Sequence, residues 1–448
     1  MKTDILIIGS GCSGLYCALS LPADKHITVI SKSDLESSDS FLAQGGMCML
    51  KDESDYDSYF EDTMKAGHYE NDPESVEIMI RSSVDVVDDL ISYGVRFARE
   101  KDGSLAFTRE GGHSNKRILF HKDITGKEIT SKLLDRAKEK SNIHLMEYTT
   151  MLDLLCVGNT CAGALVRMAD GSIEKIEAPY TVLACGGIGG IFRHSTNFRH
   201  LTGDGIAVAV RHGIELKDIN YIQIHPTTLF SDKEEDRSFL ISESVRGEGA
   251  KLYDIEGNRF VNELLPRDRL TAAIREQMEK DGSDFVWEDL RTIPREELFR
   301  HFPNIIEHCS EMYYHYDVTK QCIRVVPAQH YFMGGIKVDH ESRTSMDRLY
   351  AVGETACNGV HGKNRLASNS LLEGLVFAGR AAERITDEFS LLPEGFADAC
   401  EDLPEKELLE DPEKLKKYYK GIVREEISRW EEEAEVCKKE ALVGENNV

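Results

Sequence analysis

Long apolar runs are missing from this 448-residue chain. None approaches the ~20 residues that a helix needs to cross a bilayer, which excludes a helical membrane span. Positive charge is short as well: 54 Lys and Arg stand against 79 Asp and Glu, a net charge of −25. A nucleic-acid surface needs a basic patch, so that partner class is excluded. Small anions need only a local positive site and stay open. The eleven cysteines include no C-x-x-C pair, which argues against a zinc site or a disulfide framework. The opening stretch MKTDILIIGSG has an apolar run too short and too early for a signal peptide, so it reads as a strand and the expected compartment is the cytoplasm. There is no internal repeat and no long disordered tract.

What is present begins at that strand. Asp4 to Ile8 runs into Gly9-Ser10-Gly11-Cys12-Ser13-Gly14 and then into the helical stretch LYCALSL. This is G-x-G-x-x-G in the strand–turn–helix setting that cradles a pyrophosphate, with glycines for a tight turn and close backbone approach. Cys12, inside the loop, reads as a small packed side chain. The second strand, Ile27 to Ile30, is followed by Ser31-Lys32-Ser33 and not by the acid that binds an NAD ribose. NAD is therefore disfavoured as the resident dinucleotide.

Further along, Asp39-Ser40-Phe41-Leu42-Ala43-Gln44-Gly45-Gly46 suits a loop against a flat ligand or a plain turn. Residues 54 to 98 read as helical scaffold broken at Asn71-Asp72-Pro73. The loop Thr108 to Ser114 groups Arg109, Glu110 and His113 around two glycines, and His121 to Glu128 opens a helix running to about Lys140. Strands are expected at Ile143 to Glu147, Met151 to Cys156, Ala162 to Met168 and Thr181 to Ala184. Cys185-Gly186-Gly187 then makes a second approach to the same dinucleotide, and Asp204 stands near the start of another helix. From Tyr221 to Pro327 the βα rhythm fades and charged segments, such as Asp232 to Arg237 and Pro294 to Arg300, take over. That stretch reads as an inserted domain.

The segment HGKNRLASNSLLEGLVFAGR, from His361 to Arg380, organises the rest. It follows LYAVGE, a short strand ending on Glu354. Ser368 and Asn369 are expected as helix N-caps, and Leu371, Leu372, Leu375, Val376 and Ala378 form an apolar helical face. The helix start offers free N–H groups to an anion, and Arg365 is a fork-shaped donor for a carboxylate. After Asp387 a charged helical tail, Glu405 to Val443, carries a broken apolar face of Leu408, Leu415, Ile422, Ile427 and Trp430, to pack on the body or on another chain.

Taken together, GSGCSG, LAQGG, HPT, SESVRGEGA, PRD, HYFMGG and HGKNRLASNSLLEGL, in that order, resemble the flavoprotein family of L-aspartate oxidases, succinate dehydrogenases and fumarate reductases, over residues 4 to 388. The resemblance implies an α/β fold: a Rossmann-like FAD-binding domain (residues 1–220 and 328–388), interrupted by an α+β capping domain (221–327) and followed by a short helical C-terminal segment (389–448). FAD would be held by Gly9 to Gly14, Lys32, Asp39 to Gly46, Asp204, Glu354, Ser370 and Leu371. Family members that attach flavin covalently carry a histidine where this chain has Asp39, so the FAD is expected to be non-covalent.

The stretch TREGGHS resembles the aspartate-oxidase version of its loop, and Glu110 supplies the charge that complements a substrate ammonium. The implied reaction is hydride transfer from the α-carbon of L-aspartate to flavin N5, giving iminoaspartate, with reoxidation by O2 (to hydrogen peroxide) or fumarate (to succinate). That is the first step toward quinolinate and NAD, with quinolinate synthase as functional partner. Arg365, His225, Thr227 and His330 would bind the substrate carboxylates. Arg267 matches the family's catalytic arginine, with Glu243 and Arg246 as its proton relay. A soluble fumarate reductase of the same fold is the alternative, and the sequence does not separate a monomer from a homodimer.

Overall fold

The computed structural model describes residues 1–231, 237–311, 315–400 and 403–445, with side chains up to residue 435 in the last segment. The acidic run from Asp232 to Asp236 lies outside the described residues. In chain order the strands that position the site are β1 (Ile5–Ile8), β2 (Ile27–Ile30), β3 (Ile143–Met146), β4 (Tyr180–Leu183), β5 (Ile222–Leu229), β6 (Lys251–Tyr253), β7 (Val286–Asp289), β8 (Ile323–Phe332) and β9 (Leu349–Ala351). The helices that matter are α1 (Cys12–Ser20), α2 (Asp39–Leu42), α3 (Thr125–Glu139), α4 (Asp204–Arg211), α5 (Glu243–Gly247), α6 (Arg267–Asp281), α7 (Asn369–Asp387) and α8 (Pro412–Glu445).

A five-stranded parallel sheet in the order β9-β4-β1-β2-β3 is the frame. Its central strands, ILII and ITVI, are buried along their whole length. Near-continuous β-branched runs of this kind belong to parallel strands covered on both faces. Strand alternation divides the core. Ile5 and Ile7 face the layer that holds α1 and α7, whereas Leu6 and Ile8 face the layer of α4 and an antiparallel sheet over residues 150–177.

The inserted domain is a second, antiparallel sheet in the order β5-β8-β7-β6, with its own core of Leu229, Val245, Leu252, Leu270, Val286 and Val325. Its two long strands reach out of it toward the first sheet. β5 pairs with β8 in the register Ile222↔Phe332, Gln223↔Tyr331 and His225↔Ala328, with irregularities on either side of His225. β8 runs unbroken through Pro327 and Ala328, where the sequence reading sets a domain boundary. Bulges re-aim side chains beside them, and here they flank a residue of the site.

Three local expectations are corrected. Asp39 to Leu42 forms a short helix and not a loop, and α3 begins at Thr125, four residues after His121. Ser368 lies in the left-handed region (φ 64°) and does not cap α7; its hydroxyl is engaged elsewhere. The C-terminal helix α8 packs on the body. Leu415, Tyr419, Val423 and Ile427, four residues apart, carry its buried face, with Ile422 and Trp430 at the margin.

The loop bearing Glu110 is anchored by a buried ionic cluster that the sequence did not reveal. Arg117, 0% exposed, pairs through Nη2 and Nε with Asp55 (both 3.0 Å) and through Nη1 with Asp62 (2.6 Å). Its Nη1 also donates to His113 Nδ1 at 3.1 Å, leaving His113 Nε2–H for the carbonyl of Ala367 at 2.9 Å. Replacing Arg117 with Met would strand two carboxylates in the interior. Breaking a buried pair in this way costs about 3–5 kcal/mol. The thermal unfolding midpoint of Arg117→Met is expected to fall clearly below that of the parent, and an unchanged midpoint would show the cluster to be dispensable.

Candidate active site

Two adjoining cavities lie where the sheets meet, with about 920 and 1540 Å³ of space. Both are lined by Ser13, Asp39, Ser40, Gly353 and Glu354, so they form one continuous cleft.

The first cavity is built around the β1–α1 turn. Gly9 has φ +124°, and a Cβ there would stand 2.0 Å from the carbonyl oxygen of Ala184; at Gly14 it would stand 2.1 Å from that of Gly9. Only glycine permits this closure of β1, β4 and α1 around the turn. The start of α1 faces the cavity with its positive end, its first amide, Cys12 N–H, being held by Ser40 Oγ at 3.1 Å. An acid does reach the end of β2, but from the start of α4: Lys32 Nζ donates to Asp204 Oδ2 at 2.5 Å and to Thr202 Oγ1 at 3.2 Å. Every cofactor-binding candidate named from the sequence lines one of the two cavities. Ser38 Oγ, Asp39 Oδ2 and Gln44 Oε1 are buried without a hydrogen-bond partner among the described residues. A long polar ligand with an anionic middle, as FAD is, fits this combination of glycine cradle, positive helix end and unpartnered polar atoms.

Asp39 and Glu354 occupy the junction. Asp39 Oδ1 accepts from the backbone N–H of Phe198 and Glu354 Oε1 from that of Phe332, both at 2.9 Å. Burial raises both carboxyls well above their ordinary range. Glu354 stands on a single helical turn just after β9, not on the strand itself.

The second cavity gathers ionisable groups from both sheets. Arg365 is 5% exposed and donates through Nη1 to Ser370 Oγ at 3.1 Å, while its plane rests on the Tyr331 ring, 4.6 Å from the centroid. Its Nε has no partner among the described residues. Burial, then the neighbouring Arg267 charge, pushes Arg365 down to about 10. Arg267, at the first turn of α6, donates through Nε to Glu243 Oε2 at 2.7 Å and through Nη1 to Gln223 Oε1 at 2.8 Å. Gln223 also donates to the carbonyl of Arg365 at 2.9 Å, so it ties the two arginines together.

Two carboxylates face this pair. Burial works to raise Glu243, but the Arg267 and Arg246 guanidiniums outweigh it and hold it below the usual range. Glu110 is shifted the other way, chiefly by burial, against the pull of Ser368 and the arginines. Ser368 donates to Glu110 Oε2 at 2.6 Å and Ser244 to Oε1 at 3.3 Å. Gly111 brings the loop against the inserted domain, because a Cβ there would lie 2.1 Å from Glu243 Oε1. Two carboxyls pushed apart in one cleft are the usual mark of divided roles.

His225 and His330 meet edge to face, 5.3 Å between ring centroids, and both line the cavity. His330 Nδ1 contacts Thr196 Oγ1 at 2.8 Å and His225 Nδ1 accepts from the Thr227 N–H at 3.2 Å, so each ring keeps its Nε2–H for other use. Burial, reinforced by nearby cations, holds both well below the ordinary histidine range, and hence neutral. Thr227 and Arg246 do not line the cavity. The Thr227 hydroxyl accepts from Arg246 Nη1 at 2.5 Å and donates to the carbonyl of Ile241 at 3.2 Å. Sequence reasoning gave no role to Gln223, Ser244 or Tyr331. Gln223 could have been found: it lies two residues before His225 on one strand and so shares its face.

Residues 4–371 match the family model described as FAD binding domain. The chain is 49% identical to an L-aspartate oxidase of Clostridium perfringens over 91% of its length and 92% of that protein's, and 47% identical to one of Clostridium acetobutylicum over 88% and 90%. An Acinetobacter baylyi L-aspartate oxidase is 39% identical over 86% of this chain and 73% of its own. Among solved structures, a quinol-fumarate reductase with menaquinol superimposes with a TM-score of 0.84 at 30% identity, covering 89% of this chain and 74% of that one. A flavocytochrome c3 fumarate reductase in its open conformation gives 0.69 at 25% identity, over 86% and 78%.

Proposed function

This chain belongs to the FAD-binding flavoprotein family of the L-aspartate oxidases, and on that premise we propose that it oxidises L-aspartate to iminoaspartate, the first step of NAD biosynthesis by way of quinolinate. The carrying observation is the charge pattern of the second cavity: two arginines joined through Gln223, two neutral histidines, and Glu110 opposite them. L-aspartate has two carboxylates and one ammonium, and the cavity offers a complement to each.

FAD would be held non-covalently in the cleft by the Gly9–Gly14 turn, Lys32, Asp204, Glu354, the Asp39–Gly46 segment and the Ser370–Leu371 start of α7. The chemistry that FAD supplies when bound is two-electron acceptance from the α C–H and onward transfer to O2 or fumarate. Arg365, with an open Nε edge and a ring beneath it, clamps one carboxylate. His225 and His330, kept neutral, donate Nε2–H to carboxylate oxygens without adding charge. Thr227 contributes from behind, by holding His225 and Arg246. Glu110 accepts the substrate ammonium. It must be ionised to do so, so turnover of L-aspartate is expected to rise with pH through the Glu110 titration. Arg267, paired with Glu243 and followed by Arg246, hands a proton to the carbon of fumarate when that is the acceptor. The inserted domain closes over the cleft and excludes water.

The described residues include no helix long and apolar enough to cross a membrane, and their cysteines are all free, which suits a reducing cytoplasm. The test is steady-state assay of FAD-supplemented protein with L-aspartate or succinate as donor and O2 or fumarate as acceptor. Peroxide or succinate formation that depends on L-aspartate supports the reading. Turnover of succinate alone would move the protein to the dicarboxylate branch and leave Glu110 a structural loop residue.

A further inference from the structure

We propose that the C-terminal helix α8 is a positioning element for FAD. It braces two walls of the first cavity, the turn before α4 and the strand through Met151, and so sets how tightly the dinucleotide is held. The proposal rests on the reading that places FAD in that cavity.

The wall that most needs support is the stretch between β4 and α4. Its one regular element is the helical turn Gly189–Ile191. A long irregular segment has no ladder of its own, so its shape depends on what it bonds to and packs against. One internal bond closes it: the Gly190 N–H donates to the Leu201 carbonyl at 2.7 Å. The closed end delivers His200, Leu201, Thr202, Gly203 and Asp204 to the cavity. Lys32 Nζ meets them there, donating to the His200 carbonyl at 3.0 Å, to Thr202 Oγ1 at 3.2 Å and to Asp204 Oδ2 at 2.5 Å.

Support from outside comes from α8. Lys420 Nζ donates to the Gly190 carbonyl at 3.3 Å and Arg424 Nη2 to that of Ile191 at 3.0 Å. The two residues are four apart and so share one side of the helix. Beside them Val423, 0% exposed, lies against Gly203, where a Cβ would stand 3.1 Å from Val423 Cγ2. Gly203 has φ 76°, a backbone that glycine takes without strain, and its missing side chain lets Val423 in. The same helix reaches the second wall. Tyr419 gives its hydroxyl proton to the carbonyl of Leu152, in the strand Thr150–Val157, whose first residues, Thr150 and Met151, line the cavity. One helix thus ties together two segments distant in the chain and fixes their spacing.

None of the described residues of α8 lines either cavity, so the helix acts through the wall and not by contact with the ligand. Ordering a loop on binding costs free energy, and a loop already held in its bound shape costs less. The coupling is mutual: whatever α8 adds to FAD affinity, FAD adds to the docking of α8. The charged tail that follows the flavin domain thereby gains a role that its composition does not reveal.

The test compares the FAD dissociation constant of the parent apoprotein, by flavin fluorescence titration, with those of Lys420→Met/Arg424→Met and Lys32→Met. Methionine keeps the apolar stem of each long side chain and removes the donor. In the double variant the constant is expected to rise roughly tenfold, within the range usual for coupled elements, with the thermal midpoint of the apoprotein unchanged. An unchanged constant in the double variant, beside a raised one in Lys32→Met, overturns the proposal alone. A lowered midpoint with an unchanged constant does the same, since α8 would then be ordinary scaffold. Unchanged constants in both variants overturn the placement of FAD in the first cavity and the proposal with it. Hydrogen exchange on the parent needs no variant. Peptides covering Tyr419 to Arg424 and Gly189 to Asp204 are expected to exchange more slowly with FAD bound. Unchanged exchange in the α8 peptide overturns the proposal.

Discussion

Arg365→Leu is expected to lower kcat/KM for L-aspartate by about 30-fold to several thousand-fold, corresponding to about 2–5 kcal/mol for removing one partner of a buried charge pair. The size follows from what surrounds the side chain. Arg365 is 5% exposed and, among the described residues, has no carboxylate partner of its own and keeps Nε unpaired. One nitrogen is spent on Ser370 and one face on Tyr331, so the fork is aimed before substrate arrives. Leucine leaves the substrate carboxylate in a dry cavity with the histidines and Arg267 alone. Arg365→Lys is expected to recover only part of the loss, because an ammonium cannot match the two oxygens of a carboxylate at once. Flavin content must be measured in parallel, since Ser370 begins the helix that faces the cofactor. A variant with parental FAD content and parental kcat/KM would remove Arg365 from the clamp.

Glu110→Gln is expected to separate the two substrates. Loss of a charge-assisted hydrogen bond of about 1.5–3 kcal/mol corresponds to a fall of roughly 10- to 150-fold in kcat/KM for L-aspartate. Fumarate has no ammonium, so its reduction should change little. The variant should also lose the rise in L-aspartate turnover with pH, because its residue 110 no longer ionises. Ser368 and Ser244 hold Glu110 through hydroxyls that can serve an amide equally well, so the loop should keep its place. Equal loss with both substrates would assign Glu110 a purely structural role.

The parts of this site legible in the sequence are those whose signal is local. The β1–α1 turn is set by glycines that only a tight strand–helix junction needs, and the apolar face of α7 by its spacing. One local rule was overridden by a partner distant in the chain. Ser368 looks like an N-cap, but its hydroxyl goes to Glu110, 258 positions away, and the residue adopts a left-handed backbone instead. Arg117, assigned no role from the sequence, is buried between Asp55 and Asp62 of a helical segment 62 and 55 positions earlier. Each of these contacts joins segments that only the finished fold brings together, and no periodicity or turn signal encodes them.

The most direct measurement is anaerobic bleaching of the flavin in FAD-supplemented protein, comparing L-aspartate with succinate. The expected result is rapid bleaching by L-aspartate alone, with colour restored by fumarate or by air. Bleaching by succinate alone, with L-aspartate inert, would contradict the assignment of the second cavity to an amino dicarboxylate.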